Sequence, residues 1–499
     1  MNVLDEYTVV SENVPAKIII SRKDKEYLDS YDVVHTRIKE PTKVVLDYLK
    51  EKIIEGVDLK VSELLDPRSA DDVKKKIVKQ AHAIIDREFA GITESERAVL
   101  VGRLIQEMLG LGELEFLLAD EQLEEVVVNS AIDPAQVYHK KFGWLKTNVI
   151  FKNDEQIHNY SSTIGRRVGK QITTLNPLMD AHLLSGSRVN ATLMPISSAG
   201  NTITIRKFAK DPWTIVNFID PKLNTLNSEV AALFWLALQY EMSVLVGGGT
   251  GSGKTSFLNS FLVFAPPNQR IVSIEDTREL VLPNFLHWVP LTTREPNPEG
   301  RGGVSMLDLM INSLRMRPDR IVLGEIRRQN EAEVLFEAMH TGHAVYSTIH
   351  ADESSQVRSR LINPPIQLPE QMLGALQLIV VQYRQRRTGI RRTFEVAEVI
   401  PDNDKIGLNI VYKWDAREDK LQKVGDFIRM TNELSLHTGM NSKEIIEDLR
   451  EKQKSLDFML AKQINTVDKV GRFVAWYYRD KDRILDAVSK NKNPAELIE

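Results

Sequence analysis

The sequence predicts an α/β protein whose largest part is a parallel sheet sandwiched by helices. Strand-like apolar runs alternate with helix-like segments over residues 228–400, and such alternation is typical of parallel sheets. Apolar residues recur at helical spacing over 71–118, and short strands and turns follow over 123–208. A chain of 499 residues is long enough for about two to four domains.

These changes in texture divide the chain into five segments. We expect a largely helical N-terminal extension that docks partners, a small α/β domain, a linker, the parallel-sheet core and a helical C-terminal region. The segments are 1–120, 121–209, 210–228, 229–400 and 401–499. The linker is assigned because its composition is polar and it contains Pro212 and Pro221.

Composition narrows the possible classes of function. The chain has 65 lysines and arginines against 69 aspartates and glutamates, so no strong positive field indicates nucleic-acid binding. It has no cysteine, which excludes disulfides, thiolate metal sites and cysteine nucleophiles. The first residues do not have the pattern of a secretory signal, and no apolar run is long enough to span a bilayer. We therefore expect a soluble cytoplasmic protein that meets a membrane only through a partner or a surface.

A glycine-rich loop lies between a strand-like run at 242–246 and a helix-like run at 256–262. Its spacing is that of a phosphate-binding loop, in which backbone N–H groups curl around the α- and β-phosphates. Lys254 would reach the β- and γ-phosphates, and Thr255 would ligate Mg²⁺. We therefore expect this loop to bind a nucleoside triphosphate. The expected binding residues are Gly248, Gly249, Thr250, Gly251, Ser252, Gly253, Lys254, Thr255 and Ser256.

A first acidic patch follows the strand-like run at 270–274 and contains Glu275, Asp276 and Glu279. Carboxylates at such a strand end would face the nucleotide, where one could orient the attacking water and another could hold a metal-bound water. For any single acid in this patch, a solvated position in a polar turn is the alternative.

A second acidic patch ends the strand-like run at 320–323. Glu325 follows this run, and Gly324 stands before it in place of the usual aspartate. We expect Glu325 to support Mg²⁺ through water, with Thr255 and the phosphates as direct ligands.

Two histidines, His343 and His350, bracket the next strand-like run. Their odd separation puts the side chains on opposite faces of an extended strand, which argues against a shared metal site. One of them is expected to read the γ-phosphate, and His343 is counted among the residues expected to bind the nucleotide. Upstream, Arg188 and Arg206 lie on strand-like segments before the linker and could close over the triphosphate as arginine fingers, although surface arginines are usually solvated.

These motifs, in this order, resemble the type II/type IV secretion ATPase family, whose members drive secretion pseudopili, type IV pili, conjugation systems and the archaellum. The resemblance covers about residues 120–400. Residues 248–255 resemble Walker A, 275–279 the Asp box, 323–325 an atypical Walker B and 341–350 the His box. The resemblance implies a RecA-like P-loop core preceded by a small, PAS-like α/β domain.

The resemblance also implies roles for single residues. Glu279 would be the first choice for the catalytic base, and Glu325 would support magnesium. Arg188 and Arg206 match the N-domain arginines that contact nucleotide phosphates. The full set of expected catalytic residues is Lys254, Glu275, Glu279, Glu325, Arg188, Arg206 and His350.

One departure from the family pattern indicates which branch of the family the sequence resembles. Many bacterial members insert a four-cysteine zinc module, which a chain without cysteine cannot form. The phrases at 206–209, 276–280 and 293–300 resemble instead the archaeal branch, which includes the archaellum motor and the archaeal pilus-assembly ATPases. These phrases do not separate the two archaeal machines.

The implied function is ATP hydrolysis coupled to mechanical work in a homo-hexameric ring that serves a type IV pilus-like machine. The expected cofactors are ATP and Mg²⁺, and the expected partner is a polytopic membrane platform protein. The basic patch Lys74–Lys76 could meet an acidic loop of that partner or anionic lipid, with a solvated helix face as the alternative. Truncation of residues 1–110 should then leave basal hydrolysis largely intact.

Two other functions use the same loop. A nucleic-acid translocating motor, such as a helicase or packaging ATPase, would share the core fold. An overall pI near 6.3 and the lack of an aromatic-interleaved basic tract count against it, and no nucleic acid is expected as a partner. A nucleotide-dependent switch that hardly turns ATP over is the third candidate.

Overall fold

The computed structural model of the chain describes residues 2–23, 26–35, 40–56, 70–89, 91–183, 186–208, 212–296, 300–402 and 405–493. The chain divides into two compact units, Met1–Ala209 and Lys210–Glu499. Residues 209–211, where the predicted linker begins, lie outside the described residues, as do Ser185, residues 297–299 of the third archaeal phrase and the last six positions of the predicted C-terminal region.

The first unit is built on one sheet. Its described strands are β1 (Asn2–Ser11), β2 (Val14–Arg22), β3 (Ser30–His35), β4 (Leu123–Val128), β5 (Gln136–His139), β6 (Gly143–Thr147), β7 (Leu178–His182), β8 (Arg188–Thr192) and β9 (Thr202–Arg206). They lie in the order β1-β2-β3-β6-β5-β4-β9-β8-β7. β3 and β6 are parallel, and the other described neighbours are antiparallel.

The helices described in this unit are α1 (Glu40–Gly56), α2 (Ala70–Glu88), α3 (Glu94–Met108), α4 (Leu114–Ala119) and α5 (Asp154–Arg167). The first three share an apolar core in which Leu49, Ile77 and Leu104 are buried. α3 begins with a capping box, because Thr93 Oγ1 accepts the N–H of Glu96 and the Glu96 carboxylate accepts the N–H of Thr93.

The first 35 residues contain β1, β2 and β3, although we predicted a largely helical N-terminal extension. β3 pairs with β6, so the three N-terminal strands continue the sheet of the α/β domain. Along β2, Ala16, Ile18 and Ile20 alternate with more exposed residues and turn one face to the core. The pairing joins segments that are distant in sequence, and a local pattern holds no information about such partners.

The second unit is built on a sheet with a parallel centre. Its described strands are β10 (Val244–Gly248), β11 (Ile271–Glu275), β12 (Trp288–Thr292), β13 (Arg320–Leu323), β14 (Ala344–Ile349), β15 (Leu378–Arg384), β16 (Arg391–Asp402), β17 (Lys405–Asp415) and β18 (Lys420–Lys423). They lie in the order β12-β11-β13-β14-β10-β15-β16-β17-β18. Neighbours are parallel from β12 through β11, β13, β14 and β10 to β15. The remaining strands β16, β17 and β18 pair antiparallel with their neighbours. Every residue of β10, β11, β13 and β14 is buried, as in strands covered on both faces, which confirms the predicted α/β fold.

The α-helices described in this unit are α6 (Ile215–Ile219), α7 (Ser228–Gln239), α8 (Lys254–Leu262), α9 (Met306–Ser313), α10 (Gln329–His340), α11 (Ser354–Ile362), α12 (Arg429–Thr438), α13 (Ser442–Ala461), α14 (Val467–Arg479) and α15 (Lys481–Ser489). The last four confirm the predicted helical C-terminal region. They pack onto the core through contacts such as that of the Trp235 and Tyr477 rings, whose centroids are 4.8 Å apart. Among the described helices, none is both long and apolar enough to cross a membrane.

Two segments of the second unit differ from the predicted division. The predicted linker contains α6, whose Ile215, Val216 and Phe218 are buried in the core beside α7. Their apolar side chains stand among polar neighbours, which explains why the composition of 210–228 indicates a linker. The sheet also continues beyond residue 400, because β16 ends at Asp402 and pairs with β17.

Candidate nucleotide-binding and hydrolysis site

The carboxyl ends of the parallel strands gather most of the predicted residues at one edge of the sheet. Gly248 and Glu275 are the last residues of β10 and β11. Glu325 lies two residues beyond β13, and His350 directly follows β14. This edge is where ligands bind in open α/β sheets, so residues distant in sequence line one cleft.

The glycine-rich loop adopts a backbone that needs glycine. Gly248, Gly251 and Gly253 have φ angles of 149°, 72° and 93°, a region that other residues rarely enter. A Cβ at Gly248 would also lie 2.4 Å from the carbonyl oxygen of Gln382. The loop therefore curls tightly and leads into α8 at Lys254, and the first turn of this helix has no side-chain cap on its N–H groups. Such a turn suits a phosphate.

Lys254 folds back over this loop. Its Nζ donates to the carbonyl oxygens of Gly248 at 2.8 Å and Gly249 at 3.0 Å. Burial lowers the pKa of Lys254, whereas the negative charges of Glu325 and Asp352 act in the opposite direction. The ammonium thus lies in the cleft among carboxylates, where it can exchange loop carbonyls for phosphate oxygens.

Glu275 is the most strongly perturbed acid of the site. Its Oε1 accepts the backbone N–H groups of Glu279 at 2.8 Å and Leu280 at 3.1 Å. Its Oε2 is buried and has no hydrogen-bond partner among the described residues. Burial raises the pKa of Glu275 to about 7, although the two backbone bonds oppose this shift. The side chain therefore holds the turn that carries Glu279.

Glu279 and Glu325 are more accessible than Glu275. Glu279 is exposed on the turn after β11, and Glu325 is half-buried. Arg327 bridges the two acidic patches, because its Nε donates to Glu325 Oε2 at 2.8 Å and its Nη1 donates to Asp276 Oδ2 at 2.6 Å. The sequence analysis gave Arg327 no role.

His350 contacts the glycine-rich loop directly. Its Nε2 lies 3.0 Å from Thr250 Oγ1. The strand before it is tied to the second acidic patch, since Thr348 Oγ1 donates to the Gly324 carbonyl oxygen at 2.7 Å. The structure thus places His350 where a change at the phosphates could reach β14.

His343 requires a correction, because we predicted that it binds nucleotide. It precedes β14, whereas the loop follows the carboxyl end of the parallel strand β10. The length of β14 separates it from His350 by about 20 Å. Its Nδ1 lies 3.1 Å from Thr341 Oγ1 and 3.2 Å from the Ala338 carbonyl oxygen, which are contacts at the end of α10. Two histidines that bracket a strand necessarily lie at opposite ends of that strand.

The residues present fit a magnesium-bound triphosphate. Thr255 is the second residue of α8 and is half-buried, and its hydroxyl is a hard oxygen ligand of the kind Mg²⁺ prefers. Ser252 Oγ is buried without a hydrogen-bond partner among the described residues. Ser256 follows on the exposed side of the same helical turn.

The two arginines of the first unit lie together. Arg188 on β8 and Arg206 on β9 are directly opposite each other in the antiparallel pair, so their side chains share one face of the sheet. Both are exposed. Arg188 Nε donates to Asp180 Oδ1 at 3.0 Å, and this pairing lowers the pKa of Asp180.

Sequence reasoning missed two arginines of the second unit. Arg391 Nε donates to the Gly251 carbonyl oxygen at 3.0 Å. A Cβ at Gly251 would lie 2.7 Å from Arg384 Nη1. Both belong to the run 384–392, in which five of nine residues are arginine. That density was the available signal, but nothing local shows that the run lies beside the loop.

Known proteins match the part of the chain that contains these site residues. Residues 108–392 match the model of the family described as type II/IV secretion system protein. An uncharacterized protein of Methanocaldococcus jannaschii is 34% identical over 401 residues, which cover 78% of this chain and 71% of that protein. The type IV secretion system protein PtlH of Bordetella pertussis is 30% identical over 307 residues, which cover 55% of this chain and 89% of PtlH.

Two solved structures also match. The VirB11 ATPase of the Brucella suis type IV secretion system is 25% identical with a TM-score of 0.29, over 56% of this chain and 89% of VirB11. The pilus retraction motor PilT with bound ADP is 18% identical with a TM-score of 0.39, over 75% of this chain and 95% of PilT. The family model spans more than half of the chain and includes the glycine-rich loop and both acidic patches. This chain belongs to the type II/IV secretion system protein family.

Proposed function

We propose that the chain is an ATPase that couples ATP hydrolysis to the assembly or movement of a type IV pilus-like machine. The machine would be an archaeal pilus, an archaellum or a type II/IV secretion system. The observation that carries the proposal is the meeting of the Gly248–Thr255 loop with Glu275, Glu279 and Glu325 at one sheet edge. Family membership supports the same chemistry.

In the proposed reaction, water attacks the γ-phosphorus in line, the bond to the β–γ bridging oxygen breaks, and ADP and phosphate are released. Lys254 would leave the loop carbonyls and neutralise charge on the β- and γ-phosphates. Glu279, which is exposed at the cleft, would accept the proton of the attacking water. Glu275 would hold the turn that orients Glu279. Mg²⁺, held by Thr255 and supported by Glu325 through water, supplies further neutralisation when it is bound.

Loss of the γ-phosphate would be read by His350 through its contact with Thr250. The adjacent strand β14 is bonded through Thr348 to Gly324, so a shift at His350 would reach the second acidic patch. This coupling supports the proposal that hydrolysis is converted into movement.

A ring of six subunits is part of the proposal. Arg188 and Arg206 form an exposed pair on the first unit, and such arginines act on a triphosphate only where an interface brings them to it. The proposed location is the cytoplasmic side of the membrane, reached through a polytopic platform protein. The patch Lys74–Lys76 on α2 is the proposed contact with this platform protein, and anionic lipid is a second candidate ligand for it. Lys75 and Lys76 are exposed there.

A nucleic-acid motor of the same core fold is the alternative function. Its specific support is the arginine-rich run 384–392, whose Arg386 and Arg387 are exposed. The deciding experiment measures ATP turnover of the full chain alone, with single-stranded DNA and with anionic vesicles carrying the platform protein. Stimulation by the vesicles supports the proposal, stimulation by DNA alone supports the alternative, and nucleotide binding without turnover under all three conditions supports a switch.

A further inference from the structure

The hairpin formed by β15 and β16 lies beside the glycine-rich loop. β15 pairs with β10 so that Gln382 is opposite Gly248, and the hairpin therefore continues past the edge at which the loop begins. Arg384 and Arg391 are cross-strand partners at the base of its turn. Both are only partly exposed, in contrast to Arg386 and Arg387 at the tip.

Arg391 begins a chain of hydrogen bonds that leads to Lys254. Its Nε donates to the Gly251 carbonyl oxygen at 3.0 Å. On the opposite side of the same peptide unit, the N–H of Ser252 donates to the Gly249 carbonyl oxygen at 3.3 Å. That oxygen also accepts Lys254 Nζ at 3.0 Å. Because a trans peptide points its C=O and N–H in opposite directions, Arg391 fixes the orientation of the Ser252 N–H.

The backbone at position 251 favours glycine. The φ of Gly251 is 72°, and a Cβ there would lie 2.7 Å from Arg384 Nη1. At Gly253 a Cβ would meet Arg391 Cδ at 3.7 Å, which is ordinary contact. The two guanidinium groups thus pack closely around the outer side of the loop, and a charged donor to a carbonyl is stronger than a neutral one.

We propose that Arg391 is a positioning residue for the phosphate loop: it holds the Gly251–Ser252 peptide from outside and thereby keeps the loop in the curled form that receives a triphosphate. The inference rests on the proposed ATPase function and adds to it a residue of the second unit, which also carries the loop. Arg188 and Arg206 lie instead on the first unit.

The test compares Arg391→Ala, Arg391→Lys and the matched control Arg386→Ala in the full chain. Three quantities are measured for each: the Kd of a fluorescent ADP, the KM and kcat for MgATP, and the thermal midpoint. We expect Arg391→Ala to raise Kd and KM about tenfold, equivalent to about 1.4 kcal/mol, with a smaller fall in kcat and an unchanged midpoint. Arg391→Lys should recover part of the loss, because an ammonium can donate to the same carbonyl, and Arg386→Ala should match wild type.

Each outcome has a definite meaning. If wild type binds and hydrolyses ATP while Arg391→Ala has the Kd and KM of Arg386→Ala, the positioning role is overturned and the proposed function stands. If Arg391→Ala has a lowered thermal midpoint and its nucleotide binding and turnover recover fully on cooling, the positioning role is also overturned, in favour of a structural role. If Arg391→Ala does not fold, Arg391→Lys decides by the same comparison. Wild type that binds no ATP overturns the proposed function and this inference together.

Discussion

Glu275 Oε1 accepts the backbone N–H of Glu279 at 2.8 Å. One acid of the site therefore orients the turn that presents another. Glu275 is buried with its pKa raised to about 7, whereas Glu279 is exposed. The two carboxyl groups have different environments, and this difference separates a positioning role from a role in proton transfer.

Glu279→Gln should abolish turnover while nucleotide still binds. The amide cannot accept the proton of the attacking water, so kcat should fall by about 10²-fold or more, and the Kd for ADP should remain near that of wild type. Single-turnover kinetics with a separate binding titration measure both. Glu337→Gln, an exposed change on α10, is the control. Near-normal kcat in Glu279→Gln would move the base to Glu275 or Glu325.

Glu275→Gln should change how stability depends on pH. The fold raises the pKa of Glu275 from 4.5 to about 7, so its stabilising contribution is complete below pH 4.5 and is lost as pH rises through 7. The amide of the variant does not titrate, but its oxygen can still accept the N–H of Glu279. The free energy of unfolding of the variant minus that of wild type should therefore be larger at pH 8 than at pH 4.5, by on the order of 3 kcal/mol.

Urea unfolding of both proteins at several pH values between 4.5 and 8 measures this difference directly. A constant difference between the two unfolding free energies across this window would show that Glu275 keeps its ordinary pKa in the fold.

Arg188→Ala and Arg206→Ala should lower turnover far more than they alter the fold. Both side chains are exposed, so their removal opens no cavity, while two charges that we propose to face the triphosphate are lost. Light scattering with a non-hydrolysable ATP analogue should show a ring of six for wild type. Arg166→Ala, another exposed arginine of the first unit, should behave as wild type. A fully active monomer would refute the role of both arginines at an interface.

The buried pair Asp448–Lys452 in α13 should respond unequally to loss of either partner. Lys452 Nζ lies 2.6 Å from Asp448 Oδ2, the lysine side chain is fully buried, and burial lowers its pKa to about 8. Asp448→Asn leaves the ammonium without its counter-charge and should cost about 3–5 kcal/mol. Lys452→Met should cost far less, because Asp448 keeps Lys481 at 3.2 Å. Urea unfolding of both variants measures the two costs, and equal costs would contradict this asymmetry.

The parts of the fold that sequence alone predicted are those with local causes. The loop at 248–255 and the acids after β11 and β13 follow strands whose buried runs are visible in the sequence. His343 was assigned wrongly, because β14 carries the chain across the sheet and places His343 and His350 at opposite ends of that strand. The contact of Arg391 with Gly251 depends on which strands are neighbours in the sheet, and no local pattern contains that order.

The same limit affects the predicted N-terminal extension. Truncation of residues 1–110 would remove β1 to β3 and leave β6 as an open edge. It would also remove Ile18, Ile20 and Tyr31 from the core of the first unit. Point substitutions at exposed lysines of α2, such as Lys75, are therefore the sound way to test docking.

The most direct measurement for the central claim is Mg²⁺-dependent phosphate release by wild type, Lys254→Ala and the exposed control Lys222→Ala. If the loop is the hydrolysis site, wild type and Lys222→Ala should release phosphate from ATP at the same rate. Lys254→Ala should bind nucleotide weakly and lose turnover by about 10²-fold or more, because its ammonium is proposed to neutralise the developing charge. Equal phosphate release by Lys254→Ala and wild type would contradict the account.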